Sequence, residues 1–160
     1  MATKVSKKEL LQNMISQNQM TCSYSLNRIT EENAALRLTK AAASIGFIYR
    51  HIGECIHLFC QFFDVRTEVQ NTTIGKTDEG QGKKIDESRQ LVDEGFEKLH
   101  QLIEAQPDEY WLGNVETPFF GTIPRIRLLA HVLFHNSNHA GQISMSLARG
   151  SRYDISELKQ

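Results

Sequence analysis

The stretch LLAHVLFHNSNHAGQI, Leu128 to Ile143, decides how the rest of the chain is read. Its apolar residues return at steps of three and four, the period of an amphipathic helix. Three histidines, His131, His135 and His139, recur at intervals of four along it. On a helix each step of four advances about 40° and rises about 6 Å, so consecutive members stack on one face with imidazoles close enough to share an ion. His131 and His139 are separated by about 12 Å along the axis, too far for one metal. A metal site therefore uses His131 with His135 or His135 with His139, and His135 is common to both. The residue after His135 is Asn136, where zinc proteases of H-E-x-x-H type carry the Glu that acts as general base, so that activity is excluded.

The helix around this stretch has readable ends. Thr122 is expected to cap it with Pro124 in its first turn, and Gly150 stands just past Ala148. Upstream, three more helices are expected. The first opens at Ser6, where S-K-K-E has the form of a capping box, and runs to about Arg28. The second, from about Ala43 to Phe63, is the most apolar, with Ile45, Ile48, Ile52, Cys55, Phe59 and Phe62 at helical steps. The third runs from about Asp86 to Ala105, with Pro107 beyond it. A break or short helical turn is expected around Thr30 to Lys40. Between Glu109 and Gly121 an aromatic loop with Tyr110, Trp111, Phe119 and Phe120 either covers one end of the core or walls a ligand pocket or dimer contact.

Asp64 to Ile85 is a long polar connection. About twenty residues at roughly 3.3 Å each can pass from one end of a helix to the other, so the second and third helices need not be antiparallel neighbours. The expected fold is all-α, a four-helix bundle with a crossover between helices two and three. At 160 residues it is a single domain, 1–160, large enough to bury roughly 70% of the surface of its unfolded chain.

Composition removes several function classes. Lys plus Arg number 18 and Asp plus Glu 19, so no basic footprint favours nucleic acid or an anionic bilayer. MATKVSKKEL has lysines but no apolar run behind them, and Ala41 to Tyr49 is interrupted by Ser44 and Gly46. Neither a signal peptide nor a membrane span is expected. Cys22, Cys55 and Cys60 are odd in number, lack C-x-x-C spacing and sit in apolar helical sequence, which fits reduced core thiols in a cytosol.

A third metal ligand must come from another helix, since catalytic sites usually take three protein ligands and leave a position for water or substrate. The second helix offers His51, Cys55 and His57. His51 shares the face of Ile48, Ile52, Cys55 and Phe59 and is the better choice, while His57 points elsewhere. Cys55, one turn from His51, reads as a core thiol, with approach to the ion as its alternative role.

At these residues the chain resembles the DinB/YfiT-like family of metal-dependent proteins. HNSNHAGQI looks like the family's H-x-x-x-H-x-G-Q signature, and SIGFIYRHIGE, Ser44 to Glu54, is similar to its second-helix motif. The resemblance implies a four-helix bundle of atypical crossover topology, frequent homodimers, and a divalent transition metal, nickel, zinc or iron, on His51, His135 and His139. His131 is left as a core or pocket residue. Many members carry a His immediately before the last ligand and an Arg after it; here these are Asn138 and Ala140.

The chemistry expected is a metal-dependent enzyme, a thiol transferase or hydrolase. The ion lowers the pKa of a small thiol or a water towards about 7 and presents it to a small electrophilic substrate. Low-molecular-weight thiols enter through the resemblance. Three neutral ligands leave the ion its full charge, which favours an anionic fourth ligand. Gln142, one turn beyond His139, is a candidate hydrogen-bond partner of the site, and Glu54 a candidate acceptor of a hydrogen bond or a proton. Tyr49 and Tyr110 are weaker candidates. The competing readings are a binding or stress-response module in which the metal is structural or sensory, and an α-helical dimer with plain core histidines.

Overall fold

A computed structural model describes residues 6–153. Residues 1–5, read above for a leader, and 154–160 lie outside them. In chain order the elements are α1 (Lys7–Leu26), α2 (Ile45–Phe62), α3 (Ile85–Ala105), the short α4 (Asp108–Leu112), β1 (Asn114–Thr117), β2 (Gly121–Pro124) and α5 (Arg125–Arg149). The first two starts follow from serine chemistry. Ser6 Oγ accepts from the Glu9 amide at 3.1 Å, and Ser44 Oγ accepts from the Phe47 amide at 3.3 Å, each satisfying a first-turn donor that the helix leaves free.

Side-chain pairs along each seam establish the topology. Gly46 lies against Gly82, Arg50 pairs with Glu87 at 3.5 Å, Gly53 touches Leu91 and Ile56 touches Gly95, so α2 and α3 run parallel. The crossover predicted from the length of the polar connection is therefore present. A Cβ on Gly53 would lie 2.7 Å from the Leu91 Cβ, and one on Gly95 2.7 Å from Ile56 Cγ2, so the two helices approach as closely as they do because these residues lack side chains. α1 is antiparallel to α3, with Lys8 at Glu104 and Gln12 at His100. α2 is antiparallel to α5, with His51 opposite His139 and Phe59 opposite His131. It follows that α1 and α5 are also a parallel pair. They are joined inside by Asn18, whose Nδ2 donates to the Leu133 carbonyl at 2.9 Å and to Ser137 Oγ at 2.8 Å. Ile15, Ile52, Ile56, Phe96, Leu99, Ile103, Leu128, Val132 and Ile143 fill the shared core. Among the described residues no helix is long and apolar enough to cross a membrane.

Two local expectations are corrected. The last helix begins at Arg125 with Pro124 as its N-cap, and Thr122 does not cap it but pairs with Glu116 in an antiparallel hairpin. The segment read as an aromatic loop is α4 followed by that hairpin. Strands of four residues are too short to show an apolar period, which hid them. Gly121 supplies the positive φ, 62°, that closes the turn after Pro118. The aromatic residues divide: Trp111 is buried against Phe63 and covers the core's end, while Phe119 and Phe120 are exposed at the hairpin tip.

Candidate metal centre

The antiparallel α2–α5 seam brings His51, His135 and His139 together. Their ring centroids lie 5.2 Å (51 to 135), 4.8 Å (51 to 139) and 4.4 Å (135 to 139) apart. His51 Nε2 and His135 Nε2 are 3.3 Å apart. Two imidazole nitrogens at about 2.0–2.1 Å from one tetrahedral ion are separated by about 3.3–3.4 Å, so this distance is the edge such an ion would impose.

The opposite nitrogens explain how the rings are oriented. Thr73 Oγ1 donates its proton to Glu54 Oε2 at 2.7 Å, which leaves the hydroxyl to accept from His51 Nδ1 at 3.2 Å. Nδ1 of His51 is therefore the protonated nitrogen, and Nε2 carries the free lone pair. His139 Nδ1 likewise donates to Gln142 Oε1 at 2.7 Å. On α5 two buried atoms of adjacent residues have no partner, His135 Nδ1 and Asn136 Oδ1. If Nε2 of His135 binds an ion, its proton lies on this unpartnered Nδ1. Neutral imidazole is the form that can bind a metal, and burial favours it here. Burial, then the other histidines, holds His51 down to about 4 and His135 down to about 3, and burial lowers His139 as well.

The catalytic candidates named from sequence sit behind the histidines. Glu54 is 2% exposed, and its carboxylate accepts from Arg50 Nε (2.7 Å), both Thr72 donors (2.8 and 2.6 Å) and both Thr73 donors (2.9 and 2.7 Å). Burial pushes its pKa up, but the hydrogen bonds from Thr72, Thr73 and Arg50 outweigh this and hold it below the usual carboxylate range. It is an anchor for the crossover, reaching the histidines only through Thr73. Gln142 acts on His139 alone. Thr73, 2% exposed, was missed from sequence because it lies in a polar connection with no period to place it.

Other candidates are sorted by the same geometry. Cys55 Sγ is 3.4 Å from His51 Nε2, and one ligand atom each from His51, Cys55 and His135 lie within 4.8 Å of one another, a group that does not include His139. Burial pushes the uncoordinated thiol up to about 12. His131 packs against Phe120 at 4.6 Å and Phe59 at 5.4 Å, forming an aromatic wall beside His135. His57 faces α3, with Nδ1 bonded to Thr67 Oγ1 (2.9 Å) and Nε2 to the Leu91 carbonyl (3.0 Å). Tyr49 turns toward Arg89 and Asp93, and the Tyr110 hydroxyl donates to the Phe63 carbonyl at 2.7 Å, so neither reaches the cluster.

The sequence pattern of the DinB superfamily matches residues 14–143. The chain belongs to the DinB superfamily. Among solved structures, YfiT from Bacillus subtilis superposes with a TM-score of 0.69 at 12% identity, over 93% of this chain and 91% of that one. It is described as a probable metal-dependent hydrolase with an unusual four-helix bundle topology. A conserved protein from Enterococcus faecalis gives 0.63 at 10% identity, over 91% and 99%. At these identities the likeness carries the DinB-type all-α fold. Among proteins with curated descriptions, none matches this chain.

Proposed function

We propose that this DinB-superfamily chain is a metal-dependent enzyme in which His51, His135 and His139 hold one divalent transition ion, nickel, zinc or iron. The reaction is transfer of a small thiol to a small electrophilic substrate, or its hydrolysis by water. The observation that carries the reading is the set of three imidazole rings with centroids 4.4 to 5.2 Å apart, in which Nε2 of His51 faces Nε2 of His135 at 3.3 Å while the outer nitrogens of His51 and His139 are held by Thr73 and Gln142. A bound ion supplies Lewis acidity sufficient to bring the pKa of a coordinated thiol or water towards about 7.

The chain's own groups do the rest. The Glu54–Thr73 pair orients His51, and Gln142 orients His139. Because no carboxylate joins the histidines, the ion keeps its charge and favours an anionic nucleophile. Phe59, His131 and Phe120 give one side of the site an apolar surface that sheds water and suits an apolar electrophile. Three free, buried cysteines support placing the protein in a reducing cytosol. The homodimer implied by the resemblance has a candidate face in Leu10, Met14 and Tyr24 of α1, all exposed.

Elemental analysis after offering nickel, zinc and iron tests the site. Close to one equivalent is expected, and under about 0.2 equivalents of every metal would sink the reading. Assay of the loaded protein with small thiols and electrophiles, against the same electrophiles in water alone, then separates transfer from hydrolysis. Metal binding with neither activity would leave the ion a structural or sensory role.

A further inference from the structure

We propose that Cys55 is a fourth, displaceable ligand, so that the resting centre holds its own thiolate at the position where the reacting nucleophile binds. This rests on the three-histidine reading and deepens it, because it selects a thiol over water as the co-substrate. Cys55 lies one helical turn after His51, which sets both side chains on the same face of α2. Its sulfur is 3.4 Å from His51 Nε2. Nitrogen at about 2.0–2.1 Å and sulfur at about 2.3 Å on one tetrahedral ion lie about 3.6 Å apart, so little movement completes the set. Among the described residues the His51 ring is the sole hydrogen-bonding partner of that sulfur, and neither Cys22 nor Cys60 makes such a contact.

The same surroundings make it the weakest of the four ligands. His51 and His139 each have a hydrogen-bond partner at the outer nitrogen, whereas Cys55 is 4% exposed within a helix whose amides are already used, and no donor supports a charged sulfur. With an ion bound, an incoming thiol would replace it evenly: Cys55 would take up the S–H proton of the thiol and leave the ion as the thiolate arrives, with no electron transferred. Water, a much weaker acid and a harder ligand, does not compete with a thiolate on a borderline-soft ion. Cys55 thereby closes the centre to hydrolysis and opens it to thiols.

Cobalt(II) loading tests this without an activity assay. The wild-type chain is expected to bind stoichiometric cobalt and show a sulfur-to-cobalt charge-transfer band in the near ultraviolet. Cys55→Ser should bind cobalt and lack the band. The Cys22→Ser, Cys60→Ser double variant, in which Cys55 is the sole thiol and the site is untouched, should keep it. Cobalt bound by the wild type without the band, or a band that persists in Cys55→Ser, overturns the role of Cys55 and leaves the three histidines standing. Failure of the wild type to bind cobalt at all overturns both readings.

Discussion

His51 and His57 stand six residues apart on α2, and the two seams they serve are built on opposite terms. On the α3 side His57 is 1% exposed, with both ring nitrogens bonded, and the helices close over it by placing Gly53 and Gly95 where any side chain would collide. On the α5 side His51 has one nitrogen bonded to Thr73 and the other aimed at His135, whose own outer nitrogen has no partner. A buried polar group normally finds a partner, because leaving it unpaired costs about 1–3 kcal/mol. The α2–α3 seam is satisfied within the chain, whereas at the α2–α5 seam two imidazole nitrogens face each other at 3.3 Å, the contact on which the proposed ion depends.

The largest expected effect separates the two histidines. His135→Ala should take the metal content from about one equivalent to near zero and abolish the stabilisation by metal, about 4 kcal/mol at a free concentration a thousandfold above Kd. His57→Ala should keep its metal and instead lose about 2–3 kcal/mol of stability in urea titration, through the cavity and the stranded partners. If His57→Ala lost metal as completely as His135→Ala, the distinction between the seams would be gone. Gly53→Ala should cost about 1–3 kcal/mol by the same titration with metal stoichiometry unchanged, since the new methyl meets the Leu91 Cβ at 2.7 Å.

A finer test goes through Thr73. Thr73→Val removes the hydroxyl between Glu54 and His51 at nearly constant volume, and metal affinity by competition with a chromophoric chelator should fall about 10–100-fold. Thr73→Ser should recover most of it; equal affinities for all three chains would show that the outer nitrogen of His51 needs no orientation. The smallest effect is one of pH. Glu54 titrates below its ordinary 4.5 in the folded chain, so its contribution to stability is present above that value and is lost as pH falls below it. The stability difference between the wild type and Glu54→Gln, measured without metal, should therefore be constant near neutrality and shrink on acidification below about 4.5.

Much of this was legible from residue spacing. The apolar period of α2 and α5 placed both helices within about two residues, and the i, i+4 and i, i+3 relations on α5 were enough to bring His135 beside His139 and Gln142 near it. Spacing alone left His131 and His139 as equal partners of His135, and the family signature chose His139; in the structure His131 is turned to Phe120 while the His139 ring lies 4.4 Å from that of His135. The hairpin and Thr73 were not legible, because four-residue strands and a polar connection have no periodicity to betray their neighbours.

The sequence by itself determined an all-α chain, its four long helices, the crossover and a histidine series on one helical face. These are consequences of local period and chain length, which act within a few residues or through simple reach. Only the tertiary structure decided that His51 Nε2 meets His135 Nε2 at 3.3 Å, that a buried carboxylate grips the crossover and fixes a tautomer through Thr73, and that Cys55 stands beside the His51 ring and not merely in the core. Those relations join residues up to 84 positions apart, and the rotation of one helix against another sets them.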